Sequence, residues 1–194
     1  WIGTLAQRFI KPDSVVYDLG CSLGAIGWAI DQELTVPAQI VGVDNSVPMV
    51  EALGLNLKAA QPRATWRVIH GDVAQLSYET ASVFVLHYCL QFVPLVKREA
   101  LLTRLYASLE PGGALFLSEK IAGESAESDE WLRTEHHGFK LKMGYSDKEI
   151  AAKARSIATM MPLETASVHE ERLRGLGFKN VVRWRQSLNF CSWV

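Results

Sequence analysis

Short blocks of apolar, β-branched residues recur along the chain, most of them followed by a segment with helical spacing. Val15–Leu19 (VVYDL), bounded by Pro12-Asp13 and Gly20, predicts a buried strand. Residues 24–33 then predict a helix. Gln39–Asp44 (QIVGVD) predicts a second strand and Val47–Ala59 a second helix, with Ser46 as N-cap and Pro48 in its first turn. Thr65–His70 (TWRVIH) and Ala81–Leu86 (ASVFVL) predict strands three and four. A helix from about Lys97 to Ser108 ends at Pro111-Gly112-Gly113, and Ala114–Ser118 (ALFLS) follows as strand five. From Glu124 to Arg174 the pattern turns helical and mixed in charge. Phe178–Val194 predicts two closing strands, broken near Gln186-Ser187.

Strands that are apolar on both faces and alternate with helices imply an α/β domain, with a parallel sheet covered by helices. No repeat, low-complexity tract or linker interrupts the pattern, so one domain over residues 1–194 is expected. A length of 194 residues with 48% hydrophobic content supports a sizeable core. The formal net charge of -1 argues against wrapping nucleic acid by bulk charge. Cys21, Cys89 and Cys191 are an odd count at no metal-ligand spacing, which points to a reduced, cytoplasmic protein with no metal site. No signal peptide is recognisable and no apolar run is long enough to span a bilayer, so no membrane association is expected. The chain begins at Trp1 rather than Met, and a fragment lacking an N-terminal segment is the expectation.

Ligands of open parallel sheets bind beyond the carboxyl ends of the strands, where the first strand–helix turn meets the end of the second strand. Gly20 allows a sharp turn there, Gly24 allows close approach of the helix, and Asp44 ends strand two where a carboxylate can accept bonds from both ribose hydroxyls. The plainer alternative makes the glycines packing residues and Asp44 a helix cap. The dinucleotide pattern fails, because Ser22 stands where its second glycine belongs, and the Walker lysine is missing. Asp18, just before the loop, suits an ammonium better than a pyrophosphate. S-adenosylmethionine (SAM) brings an ammonium, a sulfonium and no phosphate, and it fits best. Asp72 and the Val73 N–H, after strand three, suit an adenine edge, the plainer alternative being that Asp72 simply caps a turn.

The stretches VYDLGCSLGA, VDNSVPM, GDV, LQF, LEPGGALFLSEK, HHGFK, GYSDKEI and LNFCS together resemble the carboxy-S-adenosylmethionine synthase family. The resemblance implies a class I methyltransferase (Rossmann-like) fold with a mostly parallel sheet, helices on both faces and a final antiparallel strand. It implies a helical substrate-pocket insertion at about 121–175. It further implies transfer of a carboxyl group from prephenate to the SAM methyl, through capture of CO₂ by the deprotonated methyl carbon. The product serves a partner enzyme that modifies a wobble uridine of tRNA. Gly20, Cys21 and Ser22 fall at the methionine end, Asp44 and Asn45 at the ribose, and Asp72 and Val73 at the adenine. His87 stands near the cofactor where the family has Asn. The family's carboxylate-binding Arg aligns with Ala154, with Arg155 next to it.

Arg155 is thus the expected cation for the new carboxylate, with Lys120 or His87 as fallback. A family Tyr near the cofactor falls before Trp1. His136 and His137 are adjacent and suit surface or capping roles better than one metal site. Cys21 reads as loop filler, and Arg172, Arg174, Lys179, Arg183 and Arg185 as a solvated basic face. Ordinary SAM-dependent methyl transfer and a non-catalytic SAM-binding module remain the alternatives. The oligomeric state, a homodimer included, is not encoded in any recognisable motif.

Overall fold

The computed structural model describes residues 1–194. Seven strands form one sheet: β1 (Ser14–Leu19), β2 (Ala38–Asp44), β3 (Thr65–His70), β4 (Ala81–His87), β5 (Leu109–Lys120), β6 (Arg183–Ser187) and β7 (Phe190–Trp193). Their order is β3-β2-β1-β4-β5-β7-β6. The first five are parallel, while β7 runs antiparallel to β5 and pairs with β6 as a hairpin. The α/β class and the mostly parallel sheet closed by antiparallel strands are as expected from the sequence. Every parallel neighbour ends on the same edge, so the loops after β1, β2, β3 and β4 gather there.

Alternation along the strands divides the core into two layers. Val16, Ile40, Val83, Val85 and Phe116 face α1 (Ile2–Ala6) and α2 (Ala25–Glu33). α3 (Val47–Ala59) lies beside β2 and β3 and inserts Leu53, which is fully buried. Tyr17, Val41, Val43, Phe84, Leu86 and Leu117 face the other layer, with α4 (Leu95–Ser108) and α7 (Ala166–Gly175). Tyr17 stacks on Phe84 at 5.0 Å, and Tyr78 meets both rings edge-on. Between β5 and α7 the chain forms α5 (Ala126–Lys142) and α6 (Asp147–Ile157). Capping boxes at Ser125 and Ser146 start these two helices.

Several boundaries differ from the expectation, each for a physical reason. α1 lacks a preceding strand and a cap signal, and was not expected. β5 starts at Leu109 rather than Ala114, because a register irregularity opposite Ala81 and Val83 accommodates the Pro111-Gly112-Gly113 turn. The closing hairpin turns at Leu188-Asn189 rather than Gln186-Ser187, with Leu188 held at φ +50°. The helical stretch at about 121–175 holds three helices that differ in burial: α5 has no buried residue, α6 buries Ile150, and α7 contributes Ala166 and Leu173 to the core.

Candidate functional site

A cleft of about 930 Å³ opens over the carboxyl ends of β1–β4. Its floor holds Gly20, Asp44, Asn45, Asp72 and Val73, and its walls are Tyr88–Cys89, residues 92–97, and Thr159, Met160 and Pro162. Five predicted cofactor residues, from three separate strand ends, are therefore brought together.

The β1–α2 loop is held by backbone bonds to β2. The N–H groups of Gly20 and Cys21 both donate to the Val43 carbonyl, at 2.8 and 2.9 Å. Gly20 has φ +75°, and a Cβ there would lie 2.6 Å from the Cys89 sulfur, so only glycine fits. Asp44 accepts the Ser22 N–H at one oxygen (2.8 Å) and the Ser46 N–H at the other (2.9 Å). It thus fastens two loops while each oxygen keeps a lone pair free toward the cleft. Ser46 caps α3 without a side-chain bond, the Asp44 contact serving its N–H instead. Asp72 accepts the Ala74 N–H and the Gln75 side-chain amide, both at 2.8 Å, so it caps its own turn as well as lining the cleft.

Four predicted cofactor residues of the β1–α2 segment do not line the cleft. Asp18 is buried beneath the loop, where it accepts the Gly27 N–H at 2.9 Å; burial raises its pKa to about 6, against the opposing effect of that bond. It does not line the cleft, since β1 carries its side chain to the α2 face. Gly24 caps α2 at φ +81°, and a Cβ there would strike Leu53 at 2.7 Å; it serves helix packing rather than ligand approach. The Cys21 thiol is buried, and burial followed by Asp18 and Asp44 pushes its pKa up to about 12, which suits a filler and not a nucleophile. Ser22 stays exposed at the loop tip with φ +49°.

The cleft's charged lining is Asp44, Asp72 and Lys97. Two carboxylates at the floor, with no cluster of cations, suit a ligand carrying positive charge and hydroxyls but no phosphate. SAM meets that description.

Comparison with known proteins agrees. A methyltransferase-domain family model matches residues 16–113. The carboxy-S-adenosyl-L-methionine synthase of Salmonella arizonae is 41% identical over 194 residues, which are 100% of this chain and 78% of that protein. The Vibrio cholerae protein of the same name is 43% identical over 192 residues, covering 98% and 78%. The chain belongs to the carboxy-S-adenosyl-L-methionine synthase family. It is a SAM-dependent enzyme, and SAM is its cofactor. Among solved structures, the cyclopropane synthase MmaA2 of Mycobacterium tuberculosis superposes with a TM-score of 0.69 at 20% identity, over 96% of this chain and 62% of that one. The mycolic acid cyclopropane synthase CmaA1, complexed with SAH and CTAB, gives 0.66 at 17% identity, over 96% and 62%. This chain spans under two thirds of either structure, and the likeness concerns the fold.

The predicted catalytic cations do not line this family member's cleft. Arg155 is exposed and makes no ion pair. α6 turns Ile150 inward, and five residues of helix place Arg155 about 140° away from that face. Lys120 is half-buried at the end of β5, near Asp129, Arg133 and Lys140; burial and the neighbouring cations lower its pKa. His87 lines a separate pocket beyond Tyr88, and burial lowers its pKa. His137 bonds Asp147 at 2.7 Å, joining α5 to α6, and His136 packs edge-on against Phe190.

Two residues of the site were not predicted. Tyr88, directly after β4, sits at φ +56° and lines both the cleft and the second pocket. Arg98 is buried and donates to the carbonyls of Val93 (2.9 Å), Gln91 (3.0 Å) and Pro162 (2.9 Å) and to Glu164 (2.5 Å), so one guanidinium holds both walls. Position at a strand's carboxyl end was the only available signal for Tyr88, and none marked Arg98.

Proposed function

We propose that this enzyme transfers a carboxyl group from a prephenate-like donor to the methyl carbon of SAM, in the cytoplasm, for a partner enzyme that modifies a tRNA wobble uridine. The observation that carries the reading is 41% identity along the whole chain to a protein of that name. When bound, SAM supplies a methyl group acidified by its sulfonium. In this assignment Asp44 and Asn45 hold the ribose, Asp72 and Val73 the adenine, and Gly20, Cys21 and Ser22 the methionine end. Asp18 acts from below through its bond to the α2 backbone. The walls fastened by Arg98 stand over the cleft floor.

Nucleic acid is not assigned to this chain itself. Arg172 pairs with Glu164, while Arg174 and Arg183 pair with Glu170, so most of the basic face is neutralised locally. No helix is long and apolar enough to cross a membrane.

One feature favours ordinary methyl transfer, namely Ala154 where the family's Arg aligns. Mass spectrometry of the full-length protein incubated with SAM and prephenate separates the two. A SAM derivative heavier by one carboxyl group, with phenylpyruvate, is expected. Formation of S-adenosylhomocysteine alone with any acceptor overturns carboxyl transfer. For the cofactor assignment, Asp44→Ala should weaken SAM binding by roughly 1.5–3 kcal/mol, as for bonds to a charged group. Unchanged affinity by calorimetry refutes that placement.

A further inference from the structure

A second pocket, of about 400 Å³, lies on the other side of Tyr88 from the cofactor cleft. We propose that it is the subsite for a small organic anion with an apolar ring or chain, and that Arg185 is the counter-ion for its carboxylate. The inference rests on the carboxyl-transfer reading for the identity of the donor, but the ligand class is argued from the pocket.

Arg185, on β6, is a lining residue that forms no ion pair, and no acidic side chain lines the pocket. The other Arg residues of the basic face, Arg172, Arg174 and Arg183, are all paired with carboxylates. Arg185 also lies near the Tyr88 hydroxyl, where its charge opposes the rise in pKa that burial imposes. Trp1, Tyr88, Trp184 and Phe190 supply an aromatic lining, and Ile2 and Ile26 an aliphatic one. A cation beside aromatic walls recognises a carboxylate joined to an apolar body.

Unsatisfied polar atoms mark the same place. Trp184 Nε1 and His87 Nδ1 are enclosed without a hydrogen-bond partner, although both residues belong to the lining. Buried donors and acceptors are ordinarily paired, so both are exceptions, enclosed behind the lining rather than open to it.

The two pockets differ in charge and share Tyr88. Asp44 and Asp72 dominate one, whereas Arg185 is the only charged residue of the other. A cationic cofactor and an anionic co-substrate are thereby sorted into neighbouring spaces that meet at one side chain. Tyr88 is held there in the left-handed region, its N–H donating to the Ser118 carbonyl at 2.7 Å.

The test uses full-length protein saturated with S-adenosylhomocysteine, and 3-phenylpropionate as probe, titrated by calorimetry. The parent should bind the probe, and Arg185→Gln should weaken it at least tenfold with unchanged S-adenosylhomocysteine affinity. Absence of probe binding by the parent, or equal binding by Arg185→Gln, overturns the subsite. If the probe binds through Arg185 while prephenate yields no carboxylated SAM, the subsite stands and the carboxyl-transfer reading fails.

Discussion

Replacing Arg98 by Met tests whether the cleft walls are held by one buried group. The guanidinium is 1% exposed and makes four hydrogen bonds, three to carbonyls of two wall segments and one to Glu164. Met retains most of the apolar stem, so the loss is chiefly polar. Removing one member of a buried ion pair typically costs 3–5 kcal/mol because the other charge is stranded. Here Glu164 keeps Arg172, which bonds both of its oxygens, and much of that penalty is spared. The carbonyls of Gln91, Val93 and Pro162 lose a charged donor, worth about 1–3 kcal/mol each if they stay dry. Pro162 lines the open cleft and can take up water, so the upper bound does not apply. A loss of roughly 3 kcal/mol results, equivalent to a fall in Tm of about 6–12 °C for a domain of this size. Urea unfolding followed by circular dichroism measures it, with Arg172→Met as comparison at a more exposed site. A loss below about 1 kcal/mol for Arg98→Met, or a larger one for Arg172→Met, refutes the reasoning.

Two further outcomes follow from the core. Glu119 is fully buried on β5, accepts the Leu90 N–H at 3.0 Å with one oxygen, leaves the other unpaired, and burial raises its pKa to about 8. Because the folded value lies above the unfolded one, its contribution is complete below about 4.5 and is lost as pH rises through about 8; Glu119→Gln should flatten the stability profile across that window, and superimposable profiles would dismiss the effect. Gly27→Ala should destabilise by about 1–3 kcal/mol, since its Cβ would lie 2.3 Å from the Trp66 ring. Gly54→Ala, with open space in α3, should instead stabilise by up to about 1 kcal/mol, and equal effects in thermal melts would show that the close approach is not felt.

The sheet was legible because its strands are apolar on both faces and end in turn residues. β3 and α3 have the predicted bounds, and β1, β2 and β4 differ by one residue. The meeting of Gly20, Asp44 and Asp72 at the cleft floor was legible for the same reason: a parallel sheet commits the ends of its strands to one edge. What lay hidden was anything decided by orientation within a helix or by burial of charge. Arg155 and its neighbour Ala154 both lie on the exposed face of α6, because the helix turns Ile150 inward instead. Arg98 and Glu119 look like surface residues in a hydropathy pattern, which has no means of showing that Gln91, Val93 and Pro162 converge on one guanidinium. Arg185 sat in a run of basic residues, and only the partners of Arg172, Arg174 and Arg183 distinguish it.

Preorganisation differs between the two pockets. Both oxygens of Asp44 and both of Asp72 already hold protein N–H donors, so these carboxylates are fixed before the cofactor arrives. Each still has lone pairs free, and binding there requires no ordering of side chains. Arg185 is a long, exposed and unpaired side chain, and a carboxylate must immobilise it at a cost of about 0.5–1.5 kcal/mol. The cofactor therefore meets the more rigid site, and the anion the more adaptable one. In the proposed assignment the sulfonium and the anion attract each other across the Tyr88 wall, and by linkage each strengthens the binding of the other by the same factor. The two sites thus differ in rigidity rather than in attraction, and Tyr88, already confined at φ +56°, is the residue that lines both.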